Sequence, residues 1–331
     1  MNNDIKQRVS RFRSERIISP ESQKTIAALE HCRSFSKYGG EPQCMLLTGP
    51  TGVGKTSIIE KYLIQHPRRN VYEVTEIPVL HVTLSEITTT VSMYQQILYD
   101  LGHPRPFESK NELELRVQIK SLVENCRVEM IIIDEFQQLI ERKTNAILSD
   151  TANSLKRLII EIKIPVVLVG MPYSIVILDT NSQLSSRFQH RHSIQPFRIS
   201  KEKDRTSYYT FLSLLEKQMF LPEESELSKQ DIASRLYMYC EGSCRKLRSL
   251  LDIAFEKTLI SGESKISLAR LASTASFIDS ELDKDTNPFL IDSSKIKIKQ
   301  PDEKVGWEDY HDGKPRLKRQ KKRGMLKSIF S

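Results

Sequence analysis

Gly49, Pro50, Thr51, Gly52, Val53, Gly54, Lys55 and Thr56 stand in unbroken succession and fit the spacing GxxxxGK[ST]. Glycines at these places let neighbouring backbone N–H groups turn toward one anion with no Cβ in the way. A helix starting near Lys55 adds its positive N-terminal end to the same spot. The chemistry this serves is phosphate binding. Lys55 is long enough to reach the β- and γ-phosphates of a nucleoside triphosphate, and the Thr56 hydroxyl suits a Mg²⁺ shell shared with phosphate oxygens and water. The expected ligands are ATP and Mg²⁺. A second group of residues supplies what hydrolysis needs. Met130-Ile131-Ile132-Ile133 is an apolar run that ends in Asp134 and Glu135, and acids at the C-terminal end of a buried strand lie where open α/β sheets bind their ligands. Asp134 is expected to hold the metal, directly or through water, and Glu135 to polarise the attacking water. Either group alone has an ordinary reading, as a glycine turn or the start of a solvated loop. Together in one chain they favour hydrolysis.

The elements that must position these residues are read from apolar periodicity. The glycine loop follows the apolar run Cys44 to Thr48, which has the length of a buried strand, and leads into SIIEKYLIQ at helical spacing. Further apolar runs at Val79 to Leu84, Met130 to Ile133 and Val166 to Val169 are separated by the helical segments Val91 to Leu101 and Asn111 to Cys126. This alternation predicts an α/β fold with a parallel sheet between helices. A short fifth strand is expected near His192 to Pro196. Upstream, Ser19-Pro20-Glu21-Ser22 offers a start for the amphipathic helix SQKTIAALEHCRSF, with a Gly39-Gly40 break after it. From Lys201 to about Asp283 the pattern is helical throughout, with turn signals at Pro222 and Glu241-Gly242-Ser243. The expected division is a basic N-terminal arm over 1–20, an α/β nucleotide-binding core over 21–200, a helical lid domain over 201–283 and a flexible basic tail over 284–331.

A chain of 331 residues, 39% hydrophobic and 28% charged, can bury a core without disulfides and is neither disordered nor membrane-like in composition. It holds no run of about 18 apolar residues, and MNNDIKQRVSRFR has no apolar stretch suited to a signal peptide. The expected location is the cytoplasm. Cys32, Cys44, Cys126, Cys240 and Cys244 form no CxxC pair, so reduced packing residues are expected in place of a zinc or disulfide framework. The net charge of +8 is concentrated at one end. Residues 295–331 carry 12 Lys/Arg against 5 Asp/Glu, a net of +7, which leaves +1 for the 294 residues before them.

The segments GPTGVGKT, IIIDEFQQL, IPVVLVGMP, LSSRF and GSCRKL, in this order, resemble the TnsC/TniB group of AAA+ transposition regulators over about residues 15–280. In length the chain also looks like the compact members from CRISPR-associated, Tn7-like transposons. The resemblance implies an AAA+ core of strand order 5-1-4-3-2 with a helical lid, forming hexameric or heptameric rings, or helical filaments, around double-stranded DNA in the bacterial cytoplasm. It also implies two protein partners, a TniQ-like targeting protein and a DDE transposase, which the assembly links. Arg187, in Ser185-Ser186-Arg187-Phe188, falls at the position of an arginine finger that reaches the γ-phosphate bound by a neighbouring subunit. A guanidinium supplied in this way is worth about 10³ to 10⁵ in rate; Arg191 is the rival candidate. Arg245 matches a sensor-two arginine that touches the nucleotide from the start of a lid helix. One departure stands out. The family's first sensor is a polar residue near the end of the fourth strand, and here that strand runs into Val169-Gly170-Met171-Pro172. Either another residue such as Gln137 carries the role, or hydrolysis is slow, as suits a timing switch.

A body of net charge near +1 must hold DNA through a local stripe. Lys110, Arg116 and Lys120, on or beside one helix, and Arg142 with Lys143 after the second acid motif are the candidates, with ordinary solvated faces as the alternative. No recognition helix, zinc finger or aromatic-rich strand is evident, so backbone contacts without base readout are expected. The block Lys314 to Arg323, with the short apolar stretch Met325 to Phe330 behind it, is read as a partner-docking peptide. A DNA clamp or a solubilising tail is the alternative. Two rival functions remain: a P-loop ATPase serving another partner, as a helicase loader or a secretion or cell-wall ATPase, and a nucleotide-gated DNA scaffold with little hydrolysis.

Overall fold

The apolar runs become the strands of one parallel sheet in the computed structural model, which describes residues 3–71, 74–86 and 88–301, with residue 74 described in its backbone alone. Along the chain the strands are β1 (Met45–Thr48), β2 (Arg69–Val71), β3 (Val74–Glu76), β4 (Val79–Thr83), β5 (Met130–Asp134), β6 (Val166–Gly170) and β7 (His190–Ser193). The sheet order is β4-β5-β6-β1-β7 with every pairing parallel. Numbered among the sheet's own strands this is 5-1-4-3-2, the order the resemblance implies. β1, β5 and β6 are buried at every residue, which is why they read as unbroken apolar runs without alternation.

Two features differ from expectation. The fifth strand is His190–Ser193 rather than residues 192–196, in register with β1 from Met45↔His190 to Thr48↔Ser193. Ile194 still donates to Thr48 O at 2.7 Å, but Pro196 has no N–H to continue the ladder. As an edge strand of alternating exposure, it needed no apolar run. The hairpin β2–β3, an antiparallel pair with Arg69 opposite Glu76, has no counterpart in the sequence reading. It is short, and its β2 strand is wholly exposed, so no hydrophobic pattern marks it.

The helices begin and end on local chemistry. They are α1 (Asn3–Ser14), α2 (Pro20–Phe35), α3 (Lys55–Gln65), α4 (Thr90–Asp100), α5 (Glu112–Asn125), α6 (Gln137–Ile140), α7 (Asn145–Ile162), α8 (Val176–Asp179), α9 (Ser182–Arg187), α10 (Glu202–Lys217), α11 (Gln230–Cys240), α12 (Cys244–Ile260) and α13 (Leu268–Ile278). Thr89 and Ser92 cap α4 reciprocally, Asn111 caps α5, Thr144 caps α7 and Ser243 caps α12. Among the described residues no helix is long and apolar enough to cross a membrane. All five cysteines are free.

Contacts divide the chain into two units. One holds Thr25–Pro50 and Tyr62–Ile194, with a core in which β4, β5 and β6 pack with α4, α5 and α7. The other gathers residues up to 24, residues 51–61 and residues 195–301, around a core of α10 to α13. This unit is drawn from three stretches, whereas the sequence predicts a contiguous lid at 201–283. Its first stretch, the basic arm of the sequence reading, is largely helical and packs on this unit. α1 buries Val9 and Phe12, the Phe12 ring lies 4.9 Å from that of Phe255, and Arg248 sits over Phe12 at 4.4 Å. A narrow apolar stripe among arginines hid this helix's packing face. Past residue 283, Asn287, Phe289 and Ile291 are buried, and buried Arg235 donates to Pro288 O (2.7 Å), Ile291 O (2.8 Å) and Ser293 Oγ (2.8 Å). The packed chain thus extends beyond the predicted start of the tail. The segments Lys314 to Arg323 and Met325 to Phe330 lie outside the described residues.

Candidate nucleotide site

β1 delivers the phosphate loop. Gly49 N–H donates to Gly170 O at the end of β6 (3.1 Å), which fixes where the loop leaves the sheet. Gly52 and Gly54 then adopt φ of 82° and 98°, the left-handed region that a side chain would strain. Lys55 opens α3, an 11-residue helix whose N-terminal dipole points into the loop. Gly52 is also close-packed. A Cβ there would stand 3.0 Å from Ser243 Oγ and 3.2 Å from Arg245 Cβ, while Gly52 O accepts the Arg245 N–H at 3.0 Å. Arg245, exposed in the first turn of α12, is thereby tied to the loop by its backbone.

β5 delivers the acids to the same edge of the sheet at which β1 ends, since β5, β6 and β1 run parallel. Asp134 is buried, and its Oδ1 accepts the Glu135 N–H (2.8 Å). Backbone bonds clamp the turn on both sides: Leu84 N–H donates to Asp134 O (3.1 Å) and Phe136 N–H to Val169 O (2.9 Å). Held so, Glu135 takes φ 55°, a left-handed conformation costing a non-glycine residue about 1–2 kcal/mol. Strain of this kind marks a carboxylate whose direction is imposed by its surroundings. Three neighbours surround the acids: Gln137, which the sequence already offers for the missing first sensor, and two that carry little or no sequence signal. His81, on β4, brings Nε2 to 3.6 Å from Asp134 Oδ2, and that nitrogen makes no hydrogen bond among the described residues. Gln137 hydrogen-bonds the Glu135 carboxylate. Tyr173 donates its hydroxyl to Glu141 (2.6 Å), and burial, with Glu141 beside it, pushes that hydroxyl well above the usual phenol range. Period-two counting along β4 could have placed His81 beside Asp134; nothing local marks Tyr173.

The remaining candidates separate by burial. Arg187 ends α9 with its side chain 15% exposed, and its Nη2 lies 3.0 Å from Glu41 Oε1 in the same subunit. Arg191 is exposed and spends its guanidinium on Phe188 O (3.1 Å) and Ser185 Oγ (2.8 Å). Lys110 and Lys120 are exposed, Arg142 is 83% exposed, and Lys143 is half-buried. Arg116 corrects the sequence reading. Its side chain is 6% exposed and bridges Glu161 (3.0 Å) and Glu112 (3.7 Å) inside the packing of α5, so it is not available to a phosphate backbone. Arg116→Ala leaves two carboxylates, each 32% exposed, without their cation and should cost about 1–3 kcal/mol of stability. Chemical denaturation measures this, and the duplex affinity of the folded fraction should be unchanged.

Against known proteins, the family model described as bacterial TniB protein matches residues 8–197, more than half of the chain. No match was found among curated protein sequences. Solved structures similar in fold include the Aeropyrum pernix ORC1 protein in complex with DNA (TM-score 0.57, 17% identity, covering 80% of this chain and 67% of that one). They also include CDC6P from Pyrobaculum aerophilum (0.57, 14%, 83% and 70%) and the Aeropyrum pernix ORC2 protein in its ADPNP-ADP complexes (0.54, 16%, 78% and 67%). At these identities the likeness speaks for the AAA+ fold. With the sheet order and the family match together, the chain belongs to the TniB family and is built on the AAA+ α/β fold.

Proposed function

We propose that this chain is an ATPase that binds ATP with Mg²⁺, oligomerises on double-stranded DNA while the γ-phosphate is present, and links a TniQ-like targeting protein to a DDE transposase in the bacterial cytoplasm. The observation that carries this reading is one sheet edge at which two parallel strands end, β1 in GPTGVGKT and β5 in Asp134-Glu135. The loop from Gly49 to Thr56 grips the triphosphate, Lys55 neutralises the β- and γ-phosphates, and Arg245 follows the nucleotide from its helix start. Thr56 and Asp134 offer the hard oxygen donors that Mg²⁺ prefers. Asp134 suits that role because its Oδ1 accepts the Glu135 N–H while its Oδ2 has His81 Nε2 beside it only at 3.6 Å, close enough to orient the carboxylate toward a cation or its water. Glu135 orients the attacking water, and Arg187 completes the site of the next subunit.

The DNA part of the reading is supported by cations on a nearly neutral body, exposed Lys110, Lys120 and Arg142 with half-buried Lys143. Contacts of that kind go to phosphates and are indifferent to sequence. The test is sedimentation and imaging of the purified chain with a duplex of mixed sequence. Ordered assemblies are expected with ATP or a slowly hydrolysed analogue and not with ADP, weakening steeply with salt. Equal order in ADP, or none in any nucleotide, overturns the proposal. Recovery of a TniQ-like protein or a DDE transposase on the assembly supports the partner assignment; recovery of a helicase or of envelope proteins replaces it.

A further inference from the structure

β6 provides no polar side chain where phosphate chemistry needs one, since it ends at Gly170 and Met171 follows. Polar atoms reach that place by another route. Gln137, the first residue of α6, is buried and turned back onto the end of β6. Its Oε1 accepts the Met171 N–H (3.2 Å), and its Nε2 donates to the Glu135 carboxylate. The neighbours dictate which amide atom lies where, because a backbone N–H only donates and a carboxylate only accepts. Gly170 makes the room. A Cβ there would stand 2.8 Å from Gln137 Oε1 and 2.5 Å from Ser174 Oγ, and Gly170 is not among the glycines of positive φ, so it serves space and not conformation.

We infer that Gln137 is a positioning residue for Glu135: its carboxamide stands in for the absent polar residue at the end of β6 and fixes the carboxylate where it orients the attacking water. The inference rests on the ATPase reading above. Nε2 carries a second N–H, so one amide can serve the carboxylate and an oxygen of water or phosphate together. The strand end ties this to the nucleotide, because Gly170 O also accepts the Gly49 N–H with which the phosphate loop begins. One short stretch of backbone thus sets the start of the loop and, through Gln137, the direction of a carboxylate that the left-handed turn leaves under strain.

Gln137→Met keeps the length of the side chain and removes both hydrogen bonds. Gly170→Ala keeps the amide and crowds it from its seat. With the full chain on duplex DNA, either change is expected to lower kcat for ATP about tenfold to a hundredfold, the usual cost of misplacing a reacting group by about 1 Å. The ATP KM should stay within about twofold of the parent and nucleotide-dependent assembly should persist, a split that a purely structural role would not produce. A Gln137→Met turnover within about twofold of the parent, while Glu135→Gln is inactive, overturns the inference alone. If Glu135→Gln also turns over ATP like the parent, the role given to Glu135 in the reading above falls and takes this inference with it. Should Gln137→Met not fold, Gly170→Ala decides by the same criteria.

Discussion

Glu135→Gln is expected to lower ATP turnover about 10²- to 10⁴-fold, the range for losing a positioned general base, while ATP binding and assembly on duplex persist. The replacement is isosteric, and its carbonyl oxygen can still accept from Gln137, so the turn held by the Leu84 and Phe136 backbone bonds keeps its shape. What is lost is a group able to take a proton from water. Asp134, the proposed cation ligand, is untouched. Phosphate release under saturating ATP measures the effect, with assembly followed in the same sample. Phosphate release that is negligible in the parent and unchanged in the variant, alongside assembly that Lys55→Ala abolishes, would mean a nucleotide-gated scaffold that uses the γ-phosphate as a signal with little cleavage.

The second large effect concerns Arg187. Its removal to alanine should cost about 10³ to 10⁵ in turnover, the value of a guanidinium that meets charge developing on the transferred phosphoryl group, with no loss in the ATP affinity of an isolated protomer. Arg187 is paired in cis with Glu41, whose own side chain is 72% exposed. An ion pair open to water on one side contributes about 1 kcal/mol or less, so the pairing is no barrier to the proposed transfer of the guanidinium to a neighbouring subunit's triphosphate. Arg191→Ala should change turnover little, because its guanidinium is engaged with neutral oxygens of its own subunit.

How much of this is readable from sequence follows from where each signal resides. The strands β1, β5 and β6 are apolar on both faces, and the phosphate loop and acid pair sit at their ends, so the sheet and the two halves of the site can be read from composition and spacing. β7 is a polar edge strand, and it starts two residues before the expected position because the apolar Ile194 and Phe197 draw the reading toward themselves. Arg116 shows the limit of charge counting. A cation on a helix reads as solvated until its partners, 4 residues back on its own helix and on α7, are known to enclose it. The packing of α1 and of residues 287–291 escapes notice because few apolar residues carry it among many charged ones. The Gln137 link between Glu135 and β6 joins residues close in sequence to one far from them. Only the fold brings Met171 there.

The claim on which the account turns is that each triphosphate is held by one subunit and attacked with help from the next. Mixing the Glu135→Gln and Arg187→Ala chains in equal amounts on duplex DNA tests it most directly. Neither variant alone should release phosphate at an appreciable rate, but in mixed assemblies an Arg187→Ala subunit keeps its Glu135 and can receive Arg187 from a Glu135→Gln neighbour. Turnover should then rise to roughly a quarter of the parental rate, since half the sites keep the carboxylate and half of those face an intact arginine. A mixture as inactive as its components, or an Arg187→Ala chain that turns over ATP like the parent, would contradict it.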